Sequence, residues 1–185
     1  MKYPHKVIHM TNTRKMVFLS LLVSQALVLH IIESMIPVPF ITPGAKLGLA
    51  NIVTVVSLYS FGEKETLLII IVRLILSSMF GGSLSSLLYS AAGALFSFTI
   101  MLTIKRLGRD NVSLIGVSTA GSVFHNIGQI TMAALIIENI SISLYLPILT
   151  VSGVGTGFFV GLTSRYILNH LKKINSTTKL FDNEG

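Results

Sequence analysis

Cysteine is absent from this 185-residue chain, which excludes disulfides, thiolate metal sites and cysteine nucleophiles. Charge is scarce as well, at 11% of residues. Aspartate occurs only at Asp110, which has no acidic neighbour, and at Asp182, which has only Glu184. A hard divalent cation needs several oxygen ligands close together, so no carboxylate cluster for magnesium is available and no metal or other cofactor is expected. The glycine-rich stretch "GVGTG" at Gly153–Gly157 follows no strand and lacks the GxxxxGK[ST] continuation, which rules out both nucleotide fingerprints. Any energy-requiring work must then draw on another polypeptide or on an ion gradient.

What is present is hydrophobic. The composition is 51% apolar and the mean hydropathy is +0.77, far from that of a soluble domain. Apolar runs recur at nearly regular intervals, each close to the roughly 20 residues that cross about 30 Å of hydrocarbon as a helix. Six such helices are predicted, near 14–36, 46–61, 64–80, 84–104, 113–137 and 144–170. The fold class expected is therefore an all-α integral membrane protein, a bundle of six transmembrane helices. A basic N-terminal segment (1–13) precedes the membrane domain (14–171), and a polar tail (172–185), disordered from Asn175, follows it. The first apolar run is too long for a secretory signal and lacks a small-residue cleavage site, so it is read as retained.

The net charge of +7 reports topology. Lys2, Lys6, Arg14 and Lys15 precede the first predicted helix, Lys64 follows the second, Lys105, Arg106 and Arg109 follow the fourth, and Arg165, Lys172, Lys173 and Lys179 end the chain. All lie on one side of the bundle, and by the positive-inside bias both termini are expected in the cytoplasm of a bacterial cell. Basic residues so placed meet anionic lipid heads, and nucleic acid is not an expected partner.

Against this background the stretch "SVFHNIGQI" at Ser122–Ile130 needs an explanation. Ser122, His125, Asn126 and Gln129 fall within an arc of roughly 100° on a helix, near the bilayer middle, where lipid cannot satisfy them. Two readings fit: interhelical hydrogen bonds that lock the bundle, or the lining of a cavity. Arg73 interrupts the third apolar run, and Glu33, near the outer end of the first, is read as the only carboxylate buried in a span, since Glu65 stands at the very start of the third. Arg73 and Glu33 could staple the bundle as a pair or belong to a binding site. Pro37, Pro39 and Pro43 rule out a regular helix between the first two spans, leaving a folded outer cap that leads to Lys46 and Asn51. Lys46 reads equally as an interfacial anchor, and Tyr89 as a belt residue. Taken together, Glu33, Lys46, Asn51, Arg73, Tyr89, His125, Asn126 and Gln129 come from five helices and cluster between midplane and outer surface. They describe an outward-opening pocket with a positive bias, suited to an anionic or carboxylate-bearing small molecule. Gly153, Gly157 and Gly161, four residues apart, are read as a ridge for close helix packing, and Ser20 and Ser24 as a weaker small-residue face.

At "PGAKLGLANIVTVVSLYSFG", the lone Arg73, "SLLYSAAGALFSF" and "GVSTAGSVFHNIGQ", over about residues 14–170, the chain resembles the Gx transporter family, also described as heptaprenyl diphosphate synthase component I. That family is similar in size and span pattern to the substrate-binding S components of energy-coupling factor (ECF) vitamin transporters. The resemblance implies a six-helix subunit that captures a metabolite from outside and works with a transmembrane coupling subunit and paired ATPases. An isoprenoid or quinone precursor as substrate is implied by the family description alone. The absence of clustered aspartates argues against catalysis of prenyl elongation by this chain, so it is not expected to be an enzyme. The alternative reading is a non-catalytic membrane partner of a polyprenyl diphosphate synthase or of a membrane redox complex.

Overall fold

A computed structural model describes residues 12–35, 48–80, 84–108 and 111–182, with side chains through Lys173. Among these residues all regular structure is helical: α1 (Asn12–Met35), α2 (Asn51–Ser60), α3 (Glu63–Met79), α4 (Leu84–Gly108), α5 (Leu114–Ile137), a 3-10 helix (Ile140–Tyr145) and α6 (Leu146–Asp182). Local chemistry explains several boundaries. Ser113 caps α5 by accepting a hydrogen bond from Gly116 N at 3.0 Å, and Glu138 ends it in the left-handed conformation. Asn139 caps the 3-10 helix by accepting from Ser141 N at 2.9 Å. Pro147 then sits in the first turn of α6, where its missing N–H costs nothing.

Four helices are long and apolar enough to cross a membrane: α1, α4, α5 and the segment Ile140–Lys173 containing most of α6. The other two are shorter. The helix predicted near 46–61 begins only at Asn51 and has 10 residues, about 15 Å of rise, and all ten are buried. Buried among its neighbours, it does not need the length that a lipid-facing helix requires. α3 has 17 residues and opens with Glu63, Lys64 and Glu65. The polar segment from Asn175, expected to be disordered, continues α6 to Asp182. No glycine or proline interrupts the chain between Asn175 and Asn183, so nothing there breaks the helix already in progress.

α5 is the centre of the bundle, packed along α4 on one side and α6 on the other. On the α6 side the predicted glycine ridge is present. A β-carbon at Gly153 would stand 3.1 Å from Val123 Cα, and one at Gly161 would stand 2.8 Å from Ile115 Cα, so the two backbones touch where side chains would hold them apart. Ser118 reinforces the crossing by donating to Gly157 O at 2.9 Å. α1 is peripheral, with only Ala26 and Glu33 buried along its length. Between it and α2 and α6 runs an apolar groove of about 490 Å³, lined by Leu22, Val28, Ile52, Val56 and Ile167 among others.

The described basic residues outside Arg73 gather at one end. There Lys15 of α1 pairs with Glu65, and Arg106 of α4 pairs with Glu63 through its Nε at 2.9 Å, so the first turn of α3 joins both neighbours. Lys105 of α4 reaches under α2, donating to Leu58 O at 2.6 Å with its ammonium 4.6 Å from the Tyr59 ring centre. At the opposite end, formed by Met35, Met79, Leu84 and the 3-10 helix, no described residue is basic.

Candidate functional site

The sequence stripe on α5 points inward. Ser122, His125, Asn126 and Gln129 are all buried, each at most 5% exposed. What lies opposite explains how three large polar side chains fit. A β-carbon at Gly93 of α4 would fall 2.9 Å from His125 Cε1, Gln129 Cγ and His125 O alike. Only a glycine there leaves room for the imidazole and the amide side by side. On its other edge the imidazole meets Gly48, whose β-carbon position is 3.4 Å from His125 Cδ2. Gly48 has φ of +85°, a left-handed conformation that glycine adopts without strain. His125 is thus wedged between α4 and the turn that starts α2.

The same turn brings Asn51 and Glu33 to the site. Asn51 N and Ile52 N bond to the carbonyls of Gly48 and Leu49 at 2.9 and 3.0 Å, forming the first turn of α2. The Asn51 Nδ2 lies 3.0 Å from the Gly48 β-carbon position, on the side facing His125. Glu33, 4% exposed, accepts hydrogen bonds at Oε1 from Gly48 N and, at 3.3 Å, from Leu49 N. Its carboxylate is therefore engaged by backbone amides. Arg73 is equally buried and within electrostatic reach of Glu33, yet among the described residues no ion pair joins the two. The staple envisaged from the sequence is absent as a direct contact.

Asn126 makes the interhelical lock: its Nδ2 donates to Leu149 O of α6 at 2.7 Å, while its Oδ1 has no hydrogen-bond partner among the described residues. Similar buried groups without a protein partner among the described residues are Asn51 Nδ2, Arg73 Nε, and the hydroxyls of Ser90, Ser97 and Ser122. Each such group costs about 1–3 kcal/mol in a closed apolar interior. They lie on α2, α3, α4 and α5.

Tyr89, read from the sequence as a pocket or belt residue, is buried in an apolar cluster with Ile130, Ala133, Ile142 and Leu149. Lys46 lies outside the described residues. Sequence reading missed Ser90, Gly93 and Ser97 on α4, and Thr54, Ser57 and Ser60, which continue from Asn51 as polar residues three apart on α2. The spacing was visible in both cases, but small hydroxyls in an apolar run are ordinarily satisfied by their own helix. Among the described residues no group of three or more potential ligands could hold a metal ion.

A family model described as heptaprenyl diphosphate synthase component I matches residues 22–167, a span that includes every described site residue. No curated protein and no solved structure matches the chain.

Proposed function

We propose a function from the premise that this chain belongs to the heptaprenyl diphosphate synthase component I family: it is a membrane-embedded, non-catalytic subunit that binds a small anionic or carboxylate-bearing metabolite in its polar interior. In this reading it acts as an S-component-like capture subunit of an uptake transporter, with six spans, cytoplasmic termini, and energy supplied by a coupling subunit with ATPases.

The observation that carries the proposal is Arg73. A guanidinium in an apolar bundle needs an anion or water, and truncating such a site to one unpaired charge is strongly unfavourable. Glu33, within electrostatic reach, is held by the Gly48 and Leu49 amides, and among the described residues the Arg73 Nε has no hydrogen-bond partner. Asn51 Nδ2 adds a second unpartnered donor. Donors in excess favour a ligand rich in acceptors, with Arg73 and Asn51 meeting its anionic end and His125, Asn126 and Gln129 fixing its orientation. An isoprenoid or quinone precursor suits the apolar walls and the family description.

The test is mass spectrometry of small molecules retained by the purified protein, beside Arg73→Met. A single anionic species retained by wild type and lost in the variant supports the proposal. The family description itself favours a second reading, a membrane partner of a polyprenyl diphosphate synthase. Under it, a soluble synthase copurifies in stoichiometric amount and nothing is retained, whereas capture of a transmembrane subunit with ATPases supports the first.

A further inference from the structure

α2 is unusual in that all 10 of its residues are buried. A buried helix carries the partial charges of its ends into a low-dielectric interior, where they are neither hydrated nor screened. Its first N–H groups and last carbonyls also need partners. The N-cap, Ala50, has no side chain that could serve, and the C-terminal sequence "SLYSF" offers no cation. The first N–H groups are taken by the carbonyls of Gly48 and Leu49, and both this turn and the C-terminal end are met from other helices. At the N-terminus the Glu33 carboxylate of α1 receives the amides of Gly48 and Leu49, the two residues whose carbonyls start the helix. At the C-terminus the Lys105 ammonium of α4 donates to Leu58 O at 2.6 Å. A negative group stands at the positive end of the dipole and a positive group at the negative end.

We infer that Glu33 is a positioning residue, clamping α2 by its N-terminal turn while Lys105 clamps the other end, so that Asn51 and Gly48 are held against His125. Glu33 on this account acts through the turn and makes no contact with the ligand. Its importance to the site rests on the binding role proposed above, but the clamp itself does not. The geometry follows from three contacts: Glu33 to the Gly48 amide, the Gly48 β-carbon position 3.4 Å from His125, and the same position 3.0 Å from Asn51 Nδ2. Moving the carboxylate frees the turn residue that stands against both site groups.

Hydrogen–deuterium exchange on the full chain in nanodiscs tests this without any ligand. Glu33→Ala should raise exchange at the amides of residues 48–52 by about tenfold or more, the loss expected when hydrogen bonds to a charged acceptor are removed. Glu33→Gln keeps an acceptor oxygen and should give a smaller rise. In selectively labelled protein the imidazole signals of His125, assigned by a His125→Asn variant, should shift in Glu33→Ala and move back towards wild type in Glu33→Gln. Arg73→Met should leave both readouts unchanged. Unaltered exchange at residues 48–52 in the Glu33 variants overturns the inference, as does an equal rise in Arg73→Met or a uniform rise along the whole chain. Should Glu33→Ala not fold, Glu33→Gln against Arg73→Met decides on the same criteria. A protein that retains no metabolite but shows the predicted exchange pattern would refute the binding role and leave the clamp standing.

Discussion

Asn126 of α5 donates its side-chain amide to the carbonyl of Leu149 on α6 at 2.7 Å, while its own oxygen faces the interior without a partner. One side chain therefore both holds two helices together and offers an acceptor to whatever enters the bundle. Asn126→Leu should lower stability by about 1 kcal/mol, the usual worth of an interhelical hydrogen bond in a membrane, and should also abolish retention of the bound metabolite. Thermal unfolding in detergent and mass spectrometry of the purified variant read the two effects separately. A stability loss with retention intact would reduce the residue to packing.

Arg73 and Glu33 make no direct pair, so removing both charges should not restore what removing one destroys. Arg73→Met is expected to lose affinity for the anionic ligand, and the double change Glu33→Gln with Arg73→Met should be no better. Recovery of stability and binding in the double variant would show that the two residues neutralise one another after all.

Gly93 stands where α4 meets His125 and Gln129, and Gly155 stands where nothing lies within 4 Å of an added β-carbon. Gly93→Ala should cost about 1–3 kcal/mol through forced separation of α4 from α5, because one of the obstructing atoms is the His125 backbone oxygen. Gly155→Ala should be neutral, or stabilising by up to about 1 kcal/mol from helix propensity. Melting temperatures of the pair measure the difference.

Lys105 should matter more than a surface lysine does. Lys105→Met removes a charge-assisted hydrogen bond to the end of a buried helix, and about 1.5–3 kcal/mol of stability should go with it. Lys64→Met, on the exposed side of the first turn of α3, should change stability by less than about 0.5 kcal/mol. Comparable losses in both would argue against the clamp.

Orientation can be read with single cysteines, since the chain has none of its own. In intact cells an impermeant thiol reagent should label Leu144→Cys on the 3-10 helix and should miss Asn111→Cys until the membrane is opened. The reverse pattern would invert the protein and close the proposed pocket to the outside.

Helix number and the boundaries of α1, α3, α4 and α5 were legible in the sequence to within a few residues, because apolar run length and breaker residues act locally. The inward stripe on α5 was legible for the same reason: a period of 3.6 residues puts Ser122, His125, Asn126 and Gln129 on one face whatever surrounds them. The reach of α2 was not, since a wholly buried short helix and half of a span have the same hydrophobicity.

What the sequence determined by itself was therefore solvent and face: a chain for lipid, with basic residues at one end and a polar stripe facing inward. Partnership was decided only by the tertiary structure. Glu33 and Arg73 were each visible as costly charges, and opposite sign made them an obvious pair on paper. In the fold the carboxylate goes to the amides of Gly48 and Leu49 at the head of α2, and Arg73 keeps an unpartnered Nε. The reason is that backbone donors at a buried helix terminus are as demanding as a charged side chain. Where they lie depends on how α1 crosses α2, which no local pattern encodes.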